Sequence, residues 1–148
     1  MPRASVKRLI RCEKNQLIDL VLDIEKYPIF VPYCIDAKIH EKNDKDDFVN
    51  IIADLTIGKG PFKETYKSDV KFNKKNDSIY VKNIGGPLKY LDNKWIFEDH
   101  KDGTEIYFDV DFEIKNKFLN IIMTTSFQYG LDKIADAFQK RANLLFKS

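Results

Sequence analysis

The chain is poor in the residues that build metal centres and covalent scaffolds. It has two cysteines, Cys12 and Cys34, with no Cys-x-x-Cys pair, and two histidines, His40 and His100. Neither histidine has a second His or Cys at ligand spacing, which argues against a metal site. Two separated cysteines with no signal peptide fit a reduced, cytoplasmic protein. The opening MPRASVKRLI lacks the apolar segment of a secretion signal. No run of about 18 apolar residues occurs, so no membrane-spanning helix is expected. Walker, GxGxxG and GxSxG patterns are missing. Gly85-Gly86-Pro87 reads as a turn, because no helix start follows it to cradle a phosphate. Charge of one sign is also missing: 25 Lys+Arg against 23 Asp+Glu leaves a net +2, so bulk electrostatics select no partner.

What is present is a chain of 148 residues, 43% hydrophobic and 13% aromatic, long enough to bury a real core as a single domain spanning 1–148. Its longest pattern is at the end, from Asn116 to Phe146. Phe127, Leu131, Ile134, Ala135, Phe138, Ala142 and Leu145 recur at steps of three and four and form one apolar stripe of a helix. Asp132, Lys133, Asp136, Gln139, Lys140 and Asn143 occupy the opposite face. Gly130 interrupts this helix at a cost of about 1 kcal/mol against alanine, for which close approach to a sheet or a kink are the two explanations. Thr124-Thr125-Ser126 suits a cap, which makes Asn116 to Met123 a separate short helix. Its Phe118, Leu119, Ile121, Ile122 and Met123 suit either core packing or a membrane- or ligand-facing role.

Upstream the period is mostly two. Ser5 to Cys12 reads as a strand. Glu13 to Asp23 reads as a helix with Leu17, Ile18, Leu20, Val21 and Ile24 on one stripe, and Tyr27 to Val31 as a further helical turn between prolines. Strands follow at Tyr33 to Glu41, Phe48 to Ile57, Phe62 to Phe72, Ser78 to Ile84, Tyr90 to Glu98 and Glu105 to Ile114. Lys42 to Asp47, Gly58 to Pro61, Asn73 to Asp77, Gly85 to Pro87 and Asp99 to Gly103 are the turns. Inward residues include Val49, Ile51, Ala53 and Leu55, then Ile106, Phe108, Val110 and Phe112. The fold class is α+β: a curved antiparallel sheet of six to seven strands wrapped around a long C-terminal helix, with a small helix pair after the first strand. One helix stripe does not fill such a concave face, so an apolar cavity between sheet and helix is expected.

Two patterns carry candidate chemistry. Glu64 counts onto the apolar face of its strand. It is either a buried carboxylate with a raised pKa, suited to acid–base work, or a strand-end residue that reaches water. Lys63, Lys67 and Lys71, with Lys59, Lys74 and Lys75 nearby, form a basic stripe. It suits RNA phosphates or anionic head groups, or else a solvated sheet face balanced by Asp69. No catalytic dyad is visible, and the chain is not expected to be an enzyme.

The segments DLVLDIEKYPIFVPYC, ADLTIGKGPFKETYKSDV, GGPLKYLDNKWIFE and ADAFQKRANLLF, in this order, resemble the coenzyme-Q-binding START-like family, from about Ser5 to Phe146. The most specific part comprises Asp23, Glu25, Tyr27, Pro28, Phe30, Pro32 and Cys34, supported by Ala137, Phe138, Arg141 and Ala142. Tyr33 stands where the family has Trp, and Leu88 where it often has Phe. The resemblance implies a helix-grip fold with a hydrophobic tunnel that holds ubiquinone or a related polyprenyl lipid. It implies a chaperone role in respiration and quinone biosynthesis, and no required cofactor or metal. The expected lining is Tyr27, Pro28, Phe30, Leu55, Phe62, Tyr66, Trp95, Phe97, Phe108, Phe127, Leu131 and Phe138, with Tyr27, Pro28 and Phe30 at the mouth. Peripheral contact with the inner face of the membrane is expected through Phe118 to Met123 and the Gly58 to Phe62 turn, with nearby lysines meeting head groups. The family's ribosome-association toxin branch implies a different partner, the large ribosomal subunit, and the basic stripe of Lys63, Lys67 and Lys71 is the surface expected to meet its RNA. A cyclase-like enzyme using Glu64 is a third reading.

Overall fold

A computed structural model of the chain describes residues 3–59, 61–86, 88–115, 117, 121 and 127–146. Strand β1 (Arg3–Ile10) leads into helix α1 (Lys14–Leu22). The first turn of α1 is closed by a capping box, in which the Glu13 backbone N–H donates to Gln16 Oε1 at 3.1 Å. A 3-10 turn (Ile24–Lys26) and a four-residue helix α2 (Tyr27–Phe30) follow. Pro28 lies in the first turn of α2, where its missing N–H costs nothing, so it starts a helix here as well as separating it from α1.

Six strands come next: β2 (Cys34–Asp44), β3 (Phe48–Lys59), β4 (Phe62–Asn73), β5 (Ser78–Gly85), β6 (Leu88–His100) and β7 (Gly103–Ile114). All pairs are antiparallel, and the order across the sheet is β1-β7-β6-β5-β4-β3-β2. Helix α3 (Phe127–Leu145) closes the chain. This is the α+β helix-grip arrangement, with seven strands.

The alternating residues face one way as their period requires. Val49, Ile51, Ala53 and Leu55 of β3 and Ile106, Phe108, Val110 and Phe112 of β7 are buried on the concave side. From α3, Leu131, Ala135, Phe138 and Ala142 enter the same core. Leu145, expected on this stripe, is 48% exposed, and Phe146, four residues after the buried Ala142, packs against the core in its place. Phe127, the first member of the stripe, has its side chain outside the described residues.

Helix α3 lies along β1. Arg8, in phase with the buried Val6 and Ile10, reaches Asp136 at 2.5 Å and Asp132 at 3.8 Å. Gln128 and Gln139 donate to the carbonyls of Ser5 and Leu9. One polar flank of α3 therefore serves β1, and the expectation that this whole face is given to water is corrected accordingly. Edge strand β2 is covered by the 3-10 turn and α2. The Glu25 carboxylate accepts from the Ile39 N–H at 3.0 Å, at a bulge between Ile39 and Glu41. A bulge and a covered edge both blunt a strand that would otherwise template pairing.

Gly130 has open space where a Cβ would stand, with nothing within 4 Å. Close approach to the sheet is therefore not the reason for this glycine. Of the apolar segment Phe118 to Met123, only Ile121 is described. It is helical and 66% exposed. The cap at Thr124-Thr125-Ser126 lies outside the described residues.

Candidate functional site

The residues expected around a ligand converge from six elements. Tyr27, Pro28 and Phe30 come from α2, Leu55 from β3, Tyr66 from β4, Trp95 and Phe97 from β6, Phe108 from β7, and Leu131 and Phe138 from α3. All but Pro28 belong to the hydrophobic core or pack directly against it. Phe62 begins β4, but its side chain, like that of Phe127, lies outside the described residues.

Phe138 is the centre of this assembly. Its ring meets Tyr27, Phe30 and Trp95 edge-on, with centroids 5.5, 5.1 and 5.3 Å away. Trp95 also stacks on Phe108 at 4.0 Å, its cross-strand neighbour, and on Phe97 at 6.2 Å. Edge-on and stacked pairs suit the ring quadrupole and each contributes about 0.5–1.5 kcal/mol beyond area burial. Six of the expected lining residues are thus in contact with one another. They wall off the β6–β7 side of the concave face as packed core.

The β3–β4 side is built differently. Leu55 faces Tyr66 across the strand pair, and the neighbouring pair is the small Ala53 and Ser68. Tyr66 and Tyr27 are half-buried, and burial pushes both phenols far above their ordinary value. Cys34, also half-buried, lies close enough to raise both phenols further. Its own thiol is pushed up to about 11, chiefly by burial and then by Asp36. The Tyr27 hydroxyl donates to the Val21 carbonyl, tying α2 back to the end of α1. The family-like segment from Asp23 to Cys34 is thus largely an architectural device. Glu25 pins β2, Tyr27 pins α1, and Pro28 starts α2.

The turn before β6 is part of the same region. Gly86 has φ +115°, and a Cβ there would stand 2.8 Å from Tyr66 Cα and 2.9 Å from the Thr65 carbonyl oxygen. Only glycine fits such an approach and such a φ. Sequence reasoning took this glycine for a plain turn residue, whereas it braces the backbone of Tyr66.

Arg141, on the flank of α3 that faces α2, lays its guanidinium over the Phe30 ring at 5.5 Å. Its Nε is buried without a hydrogen-bond partner among the described residues.

Glu64 is exposed, although it has the inward parity of Tyr66 and Ser68. It sits three residues into β4, beside the β3–β4 turn, where the concave face has run out to water. The buried-carboxylate alternative is therefore overturned. Lys63, Lys67 and Lys71 are exposed on the convex face, as alternation requires. Lys71 covers the Phe48 ring at 5.3 Å, and Lys74 and Lys75 pair with Asp44 and Asp47 of the β2–β3 turn. Lys63 and Lys67 form no ion pair among the described residues.

His40 contacts Asp54 at 2.7 Å on the convex face, and among the described residues no three His, Cys, Asp or Glu side chains gather to hold a metal. An open groove of about 920 Å³ runs between the start of α1 and the β6–β7 turn, bordered by Arg11, Lys14, Asp99, His100 and Phe146. Its walls are polar, and none of the expected lining residues contributes to it. No described helix is long and apolar enough to cross a membrane.

Comparison with known proteins gives this architecture its relatives. Residues 13–139 match the family described as polyketide cyclase/dehydrase and lipid transport. The chain is 32% identical to the ribosome association toxin RatA of Rickettsia prowazekii, over 95% of each chain. It is 30% identical to the mitochondrial coenzyme Q-binding protein of Dictyostelium discoideum, over 90% of this chain and 65% of that protein. A START superfamily protein from Mycobacterium smegmatis superimposes with a TM-score of 0.79 at 16% identity, covering 97% of this chain and 98% of that one. The chain belongs to the polyketide cyclase/dehydrase and lipid transport family, as a START-like protein with coenzyme Q-binding and ribosome-association relatives.

Proposed function

We propose that the chain binds ubiquinone or a related polyprenyl lipid between the concave face of the sheet and α3, and acts as a lipid chaperone in respiration and quinone biosynthesis, not as an enzyme. The observation that carries this reading is the change in side-chain size across the concave face. Rings pack it solidly over β6 and β7, whereas over β3 and β4 it is lined by Leu55, the small Ala53 and Ser68, and the half-buried Tyr66. Leu55 and Tyr66 then touch the ligand, with Phe62 and Phe127 as further lining. Leu131, Trp95, Phe97, Phe108 and Phe138 form the wall behind it, and Tyr27, Pro28 and Phe30 the mouth. Burying an isoprenoid tail stabilises the complex by about 25 cal/mol per Å² of apolar area. Ile29, Tyr33, Ile35 and Tyr129 are exposed, and contact of this rim with a membrane surface accounts for them. The coenzyme Q-binding relative supports the ligand class. Organic extraction of purified protein, followed by mass spectrometry, is expected to recover a quinone or prenyl lipid. Protein that is lipid-free and also takes up no ubiquinone from vesicles refutes the reading.

A second reading has its own observation. Lys63 and Lys67 are exposed and unpaired among the described residues, and the RatA relative matches over 95% of both chains. In this reading the convex face of β4 docks on ribosomal RNA of the large subunit and blocks subunit joining. Removing one lysine–phosphate pair should flatten the slope of log affinity against log salt by about 0.9. Sucrose-gradient sedimentation at low salt tests it. Absence from large-subunit fractions, or co-sedimentation unchanged by K63E/K67E, rejects it.

A further inference from the structure

The polar side chains that turn into the concave side are, with few exceptions, satisfied. Thr104 donates to the Cys12 carbonyl at 2.8 Å and Ser68 to the Ala53 carbonyl at 3.3 Å. Trp95 Nε1 donates to Asn93 Oδ1 at 3.0 Å, and Asn93 in turn to the Asp109 carbonyl at 3.0 Å. Asn83 serves both the Leu88 carbonyl and the Leu91 N–H. Tyr27 is committed to Val21. The Tyr66 hydroxyl has no hydrogen-bond partner among the described residues. The hydroxyl is open to water, since the buried side-chain atom without a partner among the described residues is Arg141 Nε, so a ligand that displaces water there must accept from Tyr66 in its place.

Three further observations say what that something is. Tyr66 stands opposite Leu55, between the fully buried Ser68 and the exposed Glu64, so its ring spans the step from core to water on the open side of the concave face. Its backbone is held by the contact with Gly86, so the ring base has little freedom to swing away. Its phenol is kept protonated by burial, which makes it a donor and not a base. The nearest reactive group, the Cys34 thiol, is likewise kept protonated, so it does not attack an electrophilic carbonyl compound held beside it.

We infer that the Tyr66 hydroxyl donates a hydrogen bond to a carbonyl oxygen of the bound ligand, so that the site selects apolar molecules with a ketone or quinone head over hydrocarbons of similar length. This rests on the lipid-binding reading above and adds the atom that discriminates within that class. A ligand that covers this hydroxyl without accepting from it leaves a donor unpaired, which discriminates more strongly than any apolar contact does.

The test uses the full chain and two probes, decylubiquinone and dodecylbenzene, the second having a comparable tail and no oxygen. Each is equilibrated from neutral vesicles with wild type and with Y66F, and ligand retained per chain is measured by extraction. Decylubiquinone retention is expected to weaken about tenfold in Y66F, while dodecylbenzene retention holds or rises, because the donor it leaves unpaired is gone. The thermal midpoint of Y66F should match or exceed wild type, because the hydroxyl it removes makes no internal bond. Equal retention of decylubiquinone by both proteins overturns the inference while leaving the lipid-binding reading intact, as does a parallel loss of both probes. If wild type retains neither probe, the lipid-binding reading falls and the inference with it. A Y66F chain that is clearly less stable shows that the hydroxyl had an internal partner, and also overturns the inference.

Discussion

Phe138→Ala tests whether the β6–β7 side of the concave face is packed core or tunnel wall with slack. The ring is 2% exposed and stands edge-on to Tyr27, Phe30 and Trp95. Truncating a buried Phe to Ala costs about 3–5 kcal/mol, combining the transfer energy of the removed atoms with the cavity left behind. The three ring pairs, at about 0.5–1.5 kcal/mol each, make up a substantial part of that sum. Against a stability of about 5–15 kcal/mol for a domain, the variant stays folded but keeps a narrow margin. A chain of this length loses roughly 2–4 °C of Tm per kcal/mol, so the midpoint should fall by roughly 6–20 °C. Trp95 is the only tryptophan and touches Phe138, so urea unfolding can be followed by its fluorescence. Phe138→Leu keeps most of the volume and loses the ring pairs, and should cost about 1–2 kcal/mol. A loss below about 1 kcal/mol for the alanine variant, with an unchanged denaturant slope, refutes the packed-core account. The ring would then border space that was already empty.

Three other outcomes follow from the geometry. Gly86→Ala meets Tyr66 and Thr65 backbone at under 3 Å in a left-handed conformation, and should lose about 2 kcal/mol or more together with ligand retention; a wild-type melt contradicts the brace. Gly130→Ala meets nothing within 4 Å inside α3, and should raise stability by about 1 kcal/mol in urea titration; a loss would show that the helix is bent there. Cys34, with its thiol pushed up to about 11, should be alkylated by iodoacetamide about a hundredfold more slowly than a free thiol at pH 8, with the rate climbing until about pH 11. Because the folded-state pKa is raised, the thiol's stabilising contribution is intact below pH 9 and is lost as pH rises toward 11. Tyr27 and Tyr66 shift the same way, so unfolding at alkaline pH should be steep, and a flat melt between pH 9 and 11 counts against burial of all three.

Much of the fold was legible in the chain itself. Strand alternation is a two-residue rule, so the inward sets of β3 and β7 could be read residue by residue, and the helical stripe of α3 found Leu131, Ala135, Phe138 and Ala142. The same rule failed at Glu64, because parity says which face a residue shares and not where that face ends. At Leu145 the helical pattern allowed a step of three or four from Ala142, and Phe146 took the place against the core. Arg8 was visible as an in-phase charge on β1, but its partners Asp132 and Asp136 lie more than a hundred residues away, and periodicity carries no information about pairing at that distance. The roles of Glu25 and Gly86 were hidden likewise. One caps a bulge in a strand and the other braces a neighbouring strand's backbone, and both depend on chain segments meeting in space.

The sequence by itself therefore determined the element types, the antiparallel sheet gripping a terminal helix, and the set of large apolar side chains that gather between them. These follow from local periodicity and turn chemistry, which act over a few residues. The tertiary structure alone decided how that set divides. Ring packing around Phe138 joins six of the twelve expected lining residues to one another, and the ligand contacts proposed above therefore fall to the Leu55–Tyr66 side, with one unpartnered hydroxyl among the described residues. That division depends on which rings reach each other across four elements, a matter of distances that no one-dimensional pattern contains.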